Sequence, residues 1–171
     1  MFTLIIGGAA SGKSALAERT AQTLPGKKVY LATMEVFDAE SRARVARHRA
    51  ARAGKGCQTL EQPTAVDLAT LPAGANVLLE DLSNLLANEM FSPAGGGAQA
   101  ALRGVEALER RCANLTVVTN EVFSGGTDYA GDTLSYLAEL AWLNRVLSAR
   151  ADTVIEVVCG LANVLKGALP W

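Results

Sequence analysis

Phe2-Thr3-Leu4-Ile5-Ile6-Gly7-Gly8-Ala9-Ala10-Ser11-Gly12-Lys13-Ser14 is the stretch that decides the fold. Phe2 to Ile6 is apolar and β-branched enough to read as a buried strand, and Gly7-Gly8 ends it in a tight turn. Gly7 to Ser14 satisfies the spacing GxxxxGK[ST] where its mechanism needs it, between an apolar strand and a helix start. The glycines let successive backbone N–H groups converge on phosphate oxygens. The helix start adds the positive end of its dipole, and Lys13 adds a point charge. Ser14 is then the expected magnesium ligand. A bare glycine turn would meet the spacing by accident, but it would not explain the strand before and the helix after.

Outward from this loop, the pattern alternates. A helix is expected from Lys13 to about Leu24, stopped by Pro25-Gly26, and then a second strand over KVYLAT, Lys28 to Thr33. Asp38 is a plausible N-cap for a helix running to about Ala53, where Gly54 and Gly56 break it. NVLLED, Asn76 to Asp81, reads as a strand, and LSNLLANEMF as the helix after it. Gly95 to Gly97 forms a surface loop, and a helix from about Ala98 to Cys112 leads into the strand LTVVTN, Leu115 to Asn120. Phe123 to Asp132 has the composition of a mobile loop over a site. A helix from about Thr133 to Arg150 and the strand TVIEVV complete the chain. Five strands separated by helices predict an α/β, mainly parallel sheet with helices on both faces. With the phosphate loop this is the P-loop NTPase class, in one domain over residues 1–171 without internal repeat or linker.

The composition supports that class and excludes others. Of 171 residues, 50% are hydrophobic and 19% charged, and the net charge is -1. Such a chain can bury roughly 70% of its unfolded surface, which excludes intrinsic disorder. With no global basic field there is nothing to favour nucleic acid or an anionic membrane, so any anion site is local. The isolated Cys57, Cys112 and Cys159 form no CxxC pair, which speaks against zinc and for reduced thiols in a cytoplasmic protein. No apolar run is long enough to span a membrane. The apolar residues Leu85, Leu86, Met90 and Phe91 read as helix core, and Trp142 as core or interface.

Two clusters carry chemistry. Glu80-Asp81, closing NVLLED, has the context of the carboxylate that completes a magnesium site opposite Ser14; either residue fits. His48, the single histidine, sits in RVARHRAAR at 44–52, with Arg44 and Arg52 at i-4 and i+4 on its helical face. From Ser41 to Leu60 there are six basic residues and no acidic one, a concentration that an anionic ligand would resolve. At an effective dielectric of about 20, a phosphate charge near 4 Å from one guanidinium gains about 4 kcal/mol, against under about 1 kcal/mol for exposed pairs. The flanking charge also pushes the imidazole pKa down, keeping it neutral and nucleophilic. A nucleophile beside a triphosphate suggests covalent nucleotidylation; a solvated basic helix is the plainer alternative.

These residues resemble the bifunctional adenosylcobinamide kinase / adenosylcobinamide-phosphate guanylyltransferase (CobU-like) family of cobalamin biosynthesis. The resemblance spans nearly the whole chain, through GGAASGKS at 7–14, YLAT at 30–33, RVARHRAAR at 44–52, TLEQP at 59–63, LLEDLSNLLAN at 78–88, TNEV at 119–122 and VVCGL at 157–161. It implies a RecA-like P-loop domain, often a homotrimer, acting on a corrinoid. In the first step the γ-phosphate of ATP or GTP goes to the aminopropanol hydroxyl of adenosylcobinamide. In the second, a histidine attacks the α-phosphate of GTP, and the bound GMP is passed on to give adenosylcobinamide-GDP. By position His48 is the implied nucleophile, with Lys13 catalytic in the phosphate loop formed by Gly7, Gly8, Ala9, Ala10, Ser11, Gly12, Lys13 and Ser14. Thr33, Met34, Glu35, Arg49, Ala50, Ala51, Arg52, Glu61 and Glu80 match positions used around GTP. Glu61 and Glu80 divide between magnesium and a guanine edge in a way the resemblance leaves open. The chain departs from the pattern at Ala10, where the family commonly has arginine, at Cys57, where it has tryptophan, and over Phe123 to Asp128, in place of G-x-G-I-V-P. A P-loop kinase with one activity, or a nucleotide-binding regulatory subunit without catalysis, are the alternatives.

Overall fold

In the computed structural model, residues 1–35, 56–123 and 128–169 are described. Strand β1 (Phe2–Gly7) is followed by the phosphate loop and helix α1 (Lys13–Thr23), then β2 (Lys28–Ala32). β3 (Cys57–Glu61), a single 3-10 turn at Val66–Leu68, and β4 (Asn76–Glu80) come next. Then follow α2 (Leu82–Phe91), α3 (Gly97–Arg111), β5 (Asn114–Asn120), α4 (Gly131–Arg150), β6 (Thr153–Val158) and β7 (Leu161–Lys166). All of these lie in one seven-stranded sheet of order β3-β2-β4-β5-β1-β6-β7, parallel except for β7. The expected helix from Asp38 to Ala53 falls outside the described residues.

The two faces are sorted by strand parity. Ile5, Tyr30, Leu78, Val118, Ile155 and Val157 point to one side, where Leu16 and Ala17 of α1 cover them. Leu4, Val29, Leu31, Val77, Leu79, Leu115 and Val117 point to the other, under Leu85 and Leu86 of α2, Val105 and Leu108 of α3, and Leu140, Leu143 and Leu147 of α4. Strands covered on both faces are near-continuously apolar, which is why β1, β4, β5 and β6 are legible without alternation. Leu85 and Leu86 are core as expected, Met90 and Trp142 pack against it half-buried, but Phe91 is 54% exposed, tilted against the Tyr136 ring at 6.4 Å.

Two strands exceed the five expected. β3 is an edge strand of half-buried and exposed residues, so CQTLE carries no apolar run. β7 pairs antiparallel with β6 through a two-residue turn, Cys159-Gly160, whose φ values are 50° and 79°. Positive φ at both central residues matches the twist of a hairpin, but Cys-Gly is a weaker signal for it than Asn-Gly.

Buried Glu89 ties α2 to its surroundings. Its Oε1 accepts from the Ala65 N–H at 2.7 Å and its Oε2 from the Gly96 N–H at 2.8 Å. Glu89→Ala leaves both donors without their acceptor, a loss of about 2–4 kcal/mol, read as a fall in the urea midpoint; Glu89→Gln, which keeps one acceptor oxygen, should lose less.

Candidate active site at the carboxyl edge of the sheet

From β1 the chain crosses out to β2 through α1, whereas from β5 it crosses β1 to reach β6 on the other side. That reversal lies beside β1, and in such sheets ligands bind outside the carboxyl ends of the strands at the point of reversal. The carboxyl ends here present the phosphate loop after β1, Glu80-Asp81 after β4, Asn120-Glu121 after β5, and Thr33 after β2.

The phosphate loop is shaped by its small residues. A Cβ on Gly7 would come within 2.6 Å of both the Ser11 Oγ and the Val157 carbonyl oxygen, and Gly12 has φ 97°. Lys13 is buried, and its Nζ donates to the Gly8 carbonyl at 3.1 Å, so its side chain folds back beneath the loop. The Ser11 Oγ is buried and bonds to none of the described residues. The β6–β7 turn braces the loop, the Gly160 N–H donating to the Ser11 carbonyl at 2.8 Å. Gly7 to Ser11, Glu121, Glu156 and Val157 to Cys159 line an open cleft of about 320 Å³.

The structure gives different partners to the two carboxylates that sequence left equivalent. Glu80 shares the parity of Leu78 and faces the α1 side, where its Oε2 accepts from the Tyr30 hydroxyl at 2.9 Å. Asp81 is the N-cap of α2: its Oδ1 accepts from the Asn84 N–H at 2.7 Å, and its Oδ2 from the Asn120 side chain at 3.3 Å. Burial pushes the Asp81 pKa up, with Glu80 adding to the rise; the Asn84 N–H, the Lys13 charge and Asn120 oppose it. A raised carboxyl pKa means the folded chain holds this proton more tightly than the unfolded one, so stability falls as pH climbs through that window and stays lower above it. Asp81→Asn keeps a capping oxygen and removes the charge. It should therefore melt no lower than wild type at neutral pH, with any advantage shrinking towards acid, in paired thermal melts across pH.

Thr33 is fully buried; its hydroxyl donates to the Asp81 carbonyl at 2.8 Å and accepts from the Asp81 N–H at 3.0 Å, locking β2 to β4. Asn88 donates to the Thr33 carbonyl at 2.6 Å and to the Pro63 carbonyl at 2.9 Å, joining the TLEQP stretch to this edge. Ala32 pairs in register with Glu61 on one side and Glu80 on the other, so the two carboxylates sit on one face, two strands apart. At about 4.8 Å between strands that is roughly 10 Å of backbone separation. Met34 and Glu35, half-buried, continue from β2. His48, Arg49, Ala50, Ala51 and Arg52 lie outside the described residues. Tyr30, Asn88 and Asn120 were not singled out from sequence; a polar residue closing a β-strand, as Asn120 does, is the signal that was available.

Among the described residues no three His, Cys, Asp or Glu side chains gather as a metal site. The oxygens of the Ser14 hydroxyl and of the Glu80 and Asp81 carboxylates are donors of the kind a hard cation takes when phosphate and water complete its shell.

The profile of a family described as cobinamide kinase / cobinamide phosphate guanyltransferase matches residues 3–165. A bifunctional adenosylcobalamin biosynthesis protein of Pseudomonas aeruginosa is 36% identical over 98% of this chain and 98% of its own. One from Escherichia coli K12 is 29% identical over 97% of this chain and 100% of its own. Among solved structures, an ATPase of a bacterial type III secretion system superposes with a TM-score of 0.52 at 11% identity, over 95% of this chain and 56% of that one. The chain thus spans little more than half that ATPase, and the likeness is one of fold alone.

Proposed function

The chain belongs to the cobinamide kinase / cobinamide phosphate guanyltransferase family and so carries both activities in adenosylcobalamin biosynthesis; on that premise we propose that one nucleotide-binding edge runs both steps, with His48 as the GMP carrier. The observation that carries this reading is that the phosphate loop, Glu80 and Thr33 stand at the carboxyl ends of β1, β4 and β2, along one edge of the parallel sheet.

Gly7 to Ser14 hold the β- and γ-phosphates through backbone N–H groups, and the Lys13 ammonium neutralises charge on the transferring group. The Ser14 hydroxyl and Glu80 would hold magnesium, which would supply neutralisation of the phosphate charge. Glu80 is preferred to Asp81 because it faces α1, whereas both Asp81 oxygens are engaged in the cap and with Asn120. Glu61, two strands from Glu80 with roughly 10 Å between their backbones, is assigned with Thr33, Met34 and Glu35 to the guanosine end.

In the kinase step the corrinoid hydroxyl attacks the γ-phosphorus of ATP or GTP. In the transfer step the His48 imidazole attacks the α-phosphorus of GTP and pyrophosphate leaves. Arg49 and Arg52, with the 50–51 backbone, offset the charge that develops there. The phosphate of cobinamide phosphate then displaces the imidazole, giving adenosylcobinamide-GDP. No described helix is long and apolar enough to cross a membrane, and we assign the protein to the cytoplasm. The exposed edge strand β7, with Leu161 at 74% and Leu165 at 58% exposure, supports self-association, which we assign as a homotrimer. Measuring the two half-reactions separately on Lys13→Ala and His48→Ala tests the scheme.

A further inference from the structure

We propose that Glu121 is the general base of the kinase step, taking the proton of the corrinoid hydroxyl as its oxygen attacks the γ-phosphorus. The proposal rests on the reading that the phosphate loop holds the triphosphate. β5 lies between β1 and β4, and its last residue, Asn120, pairs in register with Gly7. Glu121 follows one residue later, so it stands at the entrance of the phosphate loop, between it and Glu80-Asp81 along the sheet edge. Glu121 lines the cleft shared with Gly7 to Ser11.

The backbone here is held from several directions. The Glu121 N–H donates to the Gly7 carbonyl at 3.0 Å. The preceding Asn120 donates from its backbone N–H to the Ser83 Oγ at 3.2 Å and from its side chain to the same oxygen at 2.9 Å, and its carbonyl accepts from Asn144 at 3.3 Å. The Phe123 N–H donates to the Glu121 Oε1 at 2.9 Å, which fixes the carboxylate itself. These contacts fix the backbone from which the side chain starts, and the Phe123 N–H holds one of its two oxygens.

A carboxylate on the rim of a phosphate cradle repels the triphosphate, so its place there needs a compensating use. An alcohol nucleophile supplies one, because in phosphoryl transfer a positioned carboxylate accepts the hydroxyl proton. Glu156, the other carboxylate of the cleft among the described residues, accepts from Asn163 of the exposed β7 at 3.3 Å and stands on the β6 side, away from Glu80. In the step assigned to Glu121 the hydroxyl oxygen forms its bond to the γ-phosphorus and the hydroxyl proton passes to the carboxylate. The bond to the β,γ-bridging oxygen breaks, and its electron pair leaves with ADP or GDP. Glu121 returns the proton to solvent after product release.

The test is Glu121→Gln, which keeps shape and removes basicity. The expected result is a kinase kcat lower by about 10²–10³-fold, a KM for the nucleotide no higher than wild type because the repulsion is gone, and GMP labelling by GTP in the absence of corrinoid no weaker than wild type. Glu121→Asp, with a displaced but basic carboxylate, should show a smaller loss of kcat with full labelling, and carries the same contrast should the glutamine variant not fold. A kinase kcat near wild type, or labelling and kinase falling together in the folded variants, overturns the assignment. Lys13→Ala run alongside separates the two failures: intact kinase there removes the phosphate-loop reading itself, whereas kinase lost there but kept in Glu121→Gln removes only the base.

Discussion

Lys13→Ala should lower γ-phosphoryl transfer to cobinamide by about 10²–10³-fold in kcat, roughly 3–4 kcal/mol of transition-state stabilisation. The ammonium is held in place before any nucleotide arrives, its Nζ on the Gly8 carbonyl and its stem buried under the loop. A buried charge fixed in place before the reaction is worth more to the transferring phosphate than the same charge in solvent. Lys13 belongs to neither core cluster, so the variant should keep its fold and near-wild-type melting. Steady-state kinase assays with saturating ATP or GTP check the loss; a kcat within a few-fold of wild type would remove Lys13 from the chemistry.

His48→Ala should have the opposite profile. Formation of adenosylcobinamide-GDP should fall to background, because no other histidine exists in the chain to carry the nucleotide. Kinase activity should persist, so phosphorylated cobinamide accumulates as the end product. Chromatographic separation of the two corrinoid products after one incubation reads both activities together. Equal loss of both in each of the two folded variants would contradict the division between the phosphate loop and His48.

The residues show where reading the sequence stops. β1, the loop and α1 were legible because a buried strand, a glycine turn and a helix start leave three independent signals in thirteen residues. β4 and α2 were legible because an apolar run ends at Asp81, whose side chain does cap the helix. β3 and β7 were missed for a common reason: as edge strands they need no apolar run, and β7 owes its place to the backbone twist of Cys159-Gly160. α4 begins at Gly131, two residues before the expected Thr133, inside a stretch whose composition reads as loop. Glu80 and Asp81 could not be told apart because adjacent strand residues face opposite sides, and the helix cap decides which is engaged. Glu61 and Glu80 could not be placed relative to each other until the register put Ala32 between them.

Intact-protein mass spectrometry after incubation with GTP and magnesium, without corrinoid, compares wild type with His48→Ala. The account predicts one acid-labile adduct of the mass of GMP on wild type and none on the variant. No adduct on wild type, with GTP binding confirmed on the same sample, or an equal adduct on both proteins, would contradict His48 as the nucleotide carrier.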